Sequence, residues 1–350
     1  MRYRIDSDSH YIDPDIFKYV SENNRSKVPS FDFDHEGRLI KVNFNIDPLP
    51  ISFSPLEPHG DNTYSGISNL ESRIADFKNL GINFQILNPQ ENAMRFSYLV
   101  EKDLAVDMAQ SYNRRMLEII KQHPNKFLAS AILALQDPDW SLTELQWAKD
   151  NGFTSVIVDT DWPDQNYITG WPLVSAPKFE EICSECERLG LLLNIHHSMH
   201  QLGFNKIPQF FNYGLHHLMP SKHMMALVGL ITSGILSRHP NLKILLSEGL
   251  MTYIGRSYDI LVRMKIPNID RYFKENFWFT IESEDAEKLL PLIKKFGAER
   301  FLFATDYPHD DPGGAMQWND QHLIEQLPIS EEEKDLICFK NAANIFQIKI

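Results

Sequence analysis

Short apolar segments recur along the chain, and stretches with helical periodicity separate most of them. Most of the apolar segments are near-continuous runs rather than strict alternations of apolar and polar positions. Such runs are typical of strands in a parallel sheet that is buried on both faces. The predicted strands are Tyr3–Asp8, Ile82–Asn88, Phe127–Leu135, Thr154–Asp159, Leu191–His196, Leu242–Ser247, Phe277–Glu282 and Phe301–Thr305.

The intervening stretches predict amphipathic helices, several of which end at recognisable signals. One stretch ends at Asn151-Gly152 and another at Gly190, which are typical C-terminal caps. Glu331 to Glu333 is a run of acidic residues that predicts the first turn of a C-terminal helix. The predicted helices before this C-terminal one are Ser68–Leu80, Leu99–His123, Pro138–Asn151, Ala176–Leu189, Lys222–Arg238 and Asp285–Phe296.

Eight predicted strands that alternate with helices indicate an α/β fold, a (β/α)8 TIM-like barrel. The alternative is a doubly wound open sheet, which usually carries a glycine-rich phosphate loop after its first strand. Here the first strand runs into Asp8-Ser9-His10 without a glycine, so the barrel is preferred. We expect residues 1–350 to form a single barrel domain.

Two stretches depart from the alternation of strands and helices. Residues 21–65, after the first strand, are polar and rich in Pro, Asn, Asp and Ser, yet they hold Phe31, Phe33, Phe44 and Phe53. A segment of this length in a compact domain is usually functional or disordered, and its aromatic residues favour a packed cap insertion. Residues 205–220 follow the fifth strand and predict a second insertion at the barrel mouth.

Composition narrows the range of partners and compartments. The chain has 350 residues, 43% of them apolar, and a formal net charge of −13. A negative charge argues against nucleic acid and anionic membranes as partners, because both bind clustered Lys and Arg. No apolar run approaches the ~18 residues of a membrane span, and no signal peptide is apparent, so we expect a cytoplasmic protein. Cys183 and Cys186 form a C-x-x-C within a predicted helix, which favours two structural helix residues over a metal site.

Ionisable side chains follow three of the predicted strands directly. Asp8 and His10 end the first strand, His196 ends the fifth, and Asp306 follows the eighth. The carboxyl ends of barrel strands meet at one face, where barrel enzymes keep their chemistry. Two imidazoles and two carboxylates suit a divalent ion such as Zn, Mn or Fe(II). Each residue alone is more simply explained as a capping or hydrogen-bonding group; the joint occurrence predicts a shared metal site.

These segments together resemble the amidohydrolase-related family, in its ACMSD-like branch of the metal-dependent hydrolase superfamily. The resemblance covers nearly the whole chain, with its motifs in the same order and at similar spacing. The closing helix of the family is matched by residues 340–346. The other matching segments are residues 5–10, 191–196, 233–249 and 303–309.

The resemblance implies one divalent metal ion per chain, with zinc expected and manganese or iron as alternatives. Asp8 stands where the family usually has its first ligand histidine, and relatives with a carboxylate there still bind metal. Glu248 follows the sixth strand at the family's Glu-Gly position, and is a candidate ligand or general base. The fourth predicted strand holds no lysine, which argues against a lysine-bridged metal pair. The resemblance also favours a homodimer, which a monomeric mass in light scattering would contradict.

We expect a metal-dependent hydrolase of a small amide, lactone, ester or thioester, in which Asp306 and Glu248 are the catalytic residues. The alternative is a nonoxidative decarboxylase of an aromatic or unsaturated carboxylate. Hydrolysis is preferred because the family's decarboxylases carry a catalytic histidine three residues before the Glu-Gly glutamate, where this chain has Leu245. A third interpretation is a noncatalytic barrel that binds a ligand, which retention of all four ligand types disfavours.

Three further residues are candidate substrate contacts. Trp162 follows the fourth strand, His223 flanks the second insertion, and His309 lies in the turn after the eighth strand. Each position belongs to the mouth of the predicted barrel. No spacing singles out one of these residues over its neighbours.

Overall fold

The computed structural model describes residues 2–35, 39–43, 52–53, 65–89, 101–163, 170–196, 212–248, 251–281, 286–308 and 320–350. All eight predicted strands are present in these ranges, each within a few residues of its predicted bounds. Numbered in chain order, they are β1 (Ile5–Tyr11), β2 (Phe84–Pro89), β3 (Phe127–Ala129 and Ala131–Ile132), β4 (Ser155–Asp159), β5 (Leu192–His196), β6 (Ile244–Ser247), β7 (Phe277–Ile281) and β8 (Phe301–Phe303).

The strands pair in parallel around a barrel of the TIM type, in chain order from β1 to β8. Two seams are irregular. At the first, β3 is interrupted at Ser130, so its first half pairs with β2 and its second half with β4. At the second, β1 meets the chain just beyond β8, where His10 N donates to Tyr307 O at 2.6 Å and Asp306 N donates to Asp8 O at 3.0 Å. The barrel prediction is confirmed and the open-sheet alternative is wrong.

The predicted helices are also present, with one division. The predicted helix over residues 222–238 is two helices, because Gly234 adopts a φ of 81° and interrupts the hydrogen-bonding pattern. The longer helices of the described ranges are Leu70–Leu80, Lys102–Gln122, Pro138–Asp150, Phe179–Leu189, Asn212–Thr232, Met251–Arg263 and Ala286–Phe296. Shorter ones are Ile235–Arg238, Ile269–Glu275, Asp320–Gln326, Glu331–Asp335 and Asn341–Ile345. None of the described helices is long and apolar enough to cross a bilayer.

Two apolar clusters form the core. The larger one lies between the strands and the surrounding helices, and it includes Cys183 and Cys186 as fully buried free cysteines. Their burial raises the pKa of both thiols, which agrees with a structural role. The smaller cluster fills the barrel interior at the amino ends of the strands, where Ile5, Leu245 and Leu302 pack against the helix Asn341–Ile345. Polar side chains inside the barrel are therefore expected at the carboxyl ends of the strands.

The first insertion forms a three-stranded antiparallel sheet of Ser30–Phe33, Leu39–Asn43 and Ser52–Phe53. Phe31 stacks on Phe17 with ring centroids 5.6 Å apart, and Phe31 and Phe33 pack against the larger core cluster. Phe31 and Phe33 thus anchor this part of the insertion. Phe44 lies outside the described residues, and coverage of the barrel mouth by this segment stays a prediction. Of the second insertion, residues 212–220 are the first turns of a helix, and residues 205–211 are outside the described ranges.

The helix Glu331–Asp335 begins with a capping box, whose contribution to stability can be predicted and measured. Ser330 Oγ accepts a hydrogen bond from Glu333 N, and the Glu333 carboxylate accepts one from Ser330 N. We expect Ser330→Ala to lower the free energy of unfolding by about 1 kcal/mol, because it removes an N-cap acceptor. Urea denaturation measures this difference. Ser330→Thr retains the hydroxyl and should unfold as the wild type does; equal losses in both variants would contradict the capping role.

Candidate metal centre

Asp8 and His10 reach the barrel interior because β1 is irregular. The register of β1 with β2 shifts between Asp6 and Ser9. Ile5 packs in the interior cluster, whereas the Asp6 carboxylate bonds outward to Gln85 and Thr305. A bulge of this kind changes the face to which the following side chains point. It places Asp8 and His10 together inside the mouth of the barrel.

Four side chains from three strand ends converge at this point. Asp8, His10, His196 and Glu248 each offer one ligand atom, and these atoms lie within 4.8 Å of one another. His196 Nε2 is 3.4 Å from Asp8 Oδ2 and 3.4 Å from Glu248 Oε1. His10 Nε2 is 3.6 Å from the same Glu248 oxygen. All four residues are buried.

Hydrogen bonds outside the cluster orient the two ligands from β1. His10 Nδ1 lies 2.9 Å from the carbonyl oxygen of Pro89, so the proton of the neutral imidazole belongs on Nδ1. The lone pair of Nε2 then faces the cluster, which is the tautomer that a metal ligand needs. Asn88 Nδ2 donates to Asp8 Oδ1, and Asp8 Oδ2 is the oxygen nearer to His196. The end of β2 thus orients both Asp8 and His10.

Asp306 lies at the edge of the cluster, towards solvent. Its Oδ1 is 3.1 Å from His10 Nε2, and its side chain is 27% exposed, compared with 8% for Glu248. Asp306 and Glu248 adopt left-handed φ values of 55° and 54°, which are uncommon for residues other than glycine. Such strain is frequent at functional sites. Glu248 N also donates to Thr280 Oγ1 at 2.9 Å, so its backbone is held at the end of β6.

The cluster favours ionised Asp8 despite its burial. Burial alone would raise the pKa of this carboxyl, but the neighbouring His196 and His10 outweigh it and hold the pKa below its usual value. Two imidazole nitrogens and two carboxylate oxygens, none of them exposed, form a site for a single divalent metal ion. Three of the ligands expected from the strand ends, Asp8, His10 and His196, are therefore together, and the position of Glu248 agrees with the ligand role considered for it. Asp306 as a further ligand stays a prediction.

The structure describes the predicted substrate contacts only in part. His223 is buried on the helix Asn212–Thr232. Trp162 belongs to a short hairpin of Asp161–Pro163 and Gly170–Pro172, of which the structure describes the backbone only. His309 lies outside the described residues. Sequence reasoning overlooked Asn88, although it is a polar residue that ends an apolar strand, the same signal that identified His196.

The whole barrel corresponds to a known family. The sequence model of the amidohydrolase family matches residues 5–348. The chain belongs to the amidohydrolase family. It is therefore an enzyme of the amidohydrolase superfamily, and its barrel is of the type found in that superfamily.

Curated relatives of this amidohydrolase are decarboxylases. It is 25% identical over 305 residues to gamma-resorcylate decarboxylase of Rhodococcus jostii, covering 80% of this chain and 90% of the relative. It is 25% identical over 246 residues to 2-amino-3-carboxymuconate-6-semialdehyde decarboxylase of Dictyostelium discoideum, covering 67% and 66%. Among solved structures, a dihydroxybenzoic acid decarboxylase of Polaromonas sp. JS666 with bound manganese and 2-nitroresorcinol aligns with a TM-score of 0.67 and 20% identity, over 99% of this chain and 98% of that one.

These relatives contradict the hydrolase prediction, whose argument depended on Leu245. Leu245 is fully buried and packs with Ile5 and Leu302 in the apolar cluster at the amino ends of the strands. It therefore belongs to the layer below the ligand atoms. A side chain in this layer lies away from the solvent side of the cluster, where Asp306 is placed, so the absence of a histidine at position 245 does not argue against a decarboxylase.

Proposed function

We propose that this enzyme is a metal-dependent nonoxidative decarboxylase of an aromatic or unsaturated carboxylic acid that carries an oxygen substituent beside the carboxylate. One observation carries the proposal: Asp306, the partly exposed acid, lies 3.1 Å from a buried set of metal ligands. The relatedness to two kinds of decarboxylase supports the same reaction. A carboxylate and an adjacent oxygen form the kind of chelating pair that a single divalent ion binds.

The buried side chains and the partly exposed side chain of the site have different proposed roles. Asp8, His10, His196 and Glu248 are buried, so they would hold the ion and exclude water from it. When bound, a divalent ion supplies a Lewis acid that orients the substrate oxygens and withdraws negative charge from them. Asp306 reaches the open side, where it can deliver a proton to the carbon that loses the carboxylate.

The reaction balances with Asp306 as the proton donor. The bond between the ring carbon and the carboxylate carbon breaks, and carbon dioxide leaves. The electron pair stays on the ring carbon, which takes the proton of Asp306. Asp306 then recovers a proton from solvent, to which its side chain is 27% exposed.

We propose manganese as the metal, although zinc was expected from the sequence. Asp8 replaces a histidine of the usual family site, and a site richer in oxygen ligands favours manganese over zinc. The manganese in the Polaromonas structure supports this choice for a related fold. Trp162, His223 and His309 remain predicted substrate contacts; the homodimer and the cytoplasmic location likewise stay predictions.

The direct test is a screen with carbon dioxide detection. Metal-free protein should be reconstituted with Mn²⁺ or Zn²⁺ and incubated with 2,6-dihydroxybenzoate and other hydroxybenzoates, and in parallel with lactones, esters and amides. We expect carbon dioxide release that depends on added Mn²⁺, with formation of the corresponding phenol. Hydrolysis of an ester or lactone without carbon dioxide release from any acid would contradict the proposed function.

A further inference from the structure

The end of β2 holds both metal ligands of β1. Asn88 pairs with His10 in the parallel register, and its side chain is fully buried. Its amide nitrogen donates to Asp8 Oδ1, while the carbonyl oxygen of the following residue, Pro89, accepts from His10 Nδ1 at 2.9 Å. One side chain and one backbone carbonyl of adjacent residues therefore set the orientation of Asp8 and His10.

The oxygen of the Asn88 amide is the second relevant feature. Asn88 Oδ1 is buried, and it accepts no hydrogen bond from any residue that the structure describes. A buried acceptor of this kind costs about 1–3 kcal/mol when it has no donor, so such atoms are rare in folded proteins. This oxygen shares one rigid amide group with the nitrogen that contacts Asp8. It is therefore adjacent to the metal ligands, where a bound molecule can supply the donor.

We propose that Asn88 has two roles in this site. Its nitrogen is a positioning group that keeps Asp8 Oδ2 directed towards His196 and the metal. Its oxygen binds the hydroxyl group beside the carboxylate of the substrate, and so selects hydroxylated acids over acids that lack this donor. The second role rests on the proposed function, whereas the first depends only on metal binding.

The positioning role is tested by metal affinity, without turnover. Metal-free protein is titrated with Mn²⁺, and the free ion is measured by electron paramagnetic resonance. We expect Asn88→Leu to weaken Mn²⁺ binding about 10- to 100-fold, the usual effect of losing a partner of a metal ligand. Asn88→Ser, a smaller polar variant, should also weaken binding, because its hydroxyl is too short to reach Asp8.

Asn276 offers a matched control. It is also a fully buried asparagine, but its Nδ2 donates to the carbonyl oxygens of Pro240 and Leu242, at the amino end of β7 and away from the metal ligands. We expect Asn276→Leu to lose stability and to keep the Mn²⁺ affinity of the wild type. Wild-type affinity in both Asn88 variants, or an equal loss in Asn276→Leu, would overturn the positioning role.

The substrate role is tested by comparing two acids that differ in one hydroxyl. Dissociation constants of 2-hydroxybenzoate and benzoate are measured by calorimetry on protein saturated with Mn²⁺. We expect the wild type to prefer 2-hydroxybenzoate, and Asn88→Leu to reduce this preference about 3- to 10-fold, the value of one hydrogen bond. An unchanged preference overturns the substrate role and leaves the proposed function intact. Binding of neither acid by the wild type overturns both, while the Mn²⁺ titration still decides the positioning role.

Discussion

Replacing His196 by alanine is expected to remove the metal ion and abolish carbon dioxide release. His196 Nε2 lies 3.4 Å from both Asp8 and Glu248, so it forms the centre of the ligand set. Its loss leaves two buried carboxylates with one imidazole. We expect activity to fall at least about 1000-fold, equivalent to about 4 kcal/mol of lost transition-state stabilisation. Mass spectrometry of the purified variant should find much less than one ion per chain.

His239 provides the control for this substitution. It lies outside the site, where its Nδ1 is 3.2 Å from Glu187 Oε2. His239→Ala should retain both the metal and the activity. Full metal occupancy in His196→Ala would show that His196 is not a ligand, whereas loss of metal in both variants would indicate a general effect on folding.

The second large effect is expected for Asp306→Asn, which should keep the metal and lose the reaction. An amide cannot deliver a proton to the substrate carbon, and loss of a general acid typically reduces the rate about 10²- to 10⁴-fold. The four buried ligands are untouched, so metal content should stay near one ion per chain. The measurements are elemental analysis and the rate of carbon dioxide release for the same preparation.

Asparagine is well suited to this position because it tolerates the left-handed φ of 55° that Asp306 adopts. Asp306→Asn should therefore fold and melt as the wild type does. Asp306→Ala, which lacks a local hydrogen-bonding group in the same conformation, is the harsher variant and should also be less stable. Wild-type activity in Asp306→Asn would exclude this residue as the proton donor. Loss of metal in that variant would instead identify Asp306 as an essential ligand.

The barrel and most of its metal ligands could be predicted from local patterns. Apolar runs identified the eight strands, because a strand that is buried on both faces carries apolar side chains on both of them. Asp8, His10 and His196 were recognisable because they end such runs, and the carboxyl ends of barrel strands meet at one face.

The reaction could not be predicted in the same way. The choice of hydrolysis depended on a histidine that is absent at position 245, and a sequence does not show how deep in the barrel that position lies. In the structure Leu245 belongs to the apolar layer below the metal ligands. The exposed side of the site, where we propose that the proton is delivered, is occupied by Asp306 from another strand.

What the sequence determined by itself is the set of strands and the chemical types at their ends, since both follow from contacts between near neighbours in the chain. Only the tertiary structure decided how these groups are used. The irregular register of β1 turns Asp8 and His10 inward, and the end of β2 holds them there through Asn88 and Pro89, residues some 80 positions away in the chain. Such orientation depends on distances and angles between strands, which a local pattern of residues does not contain.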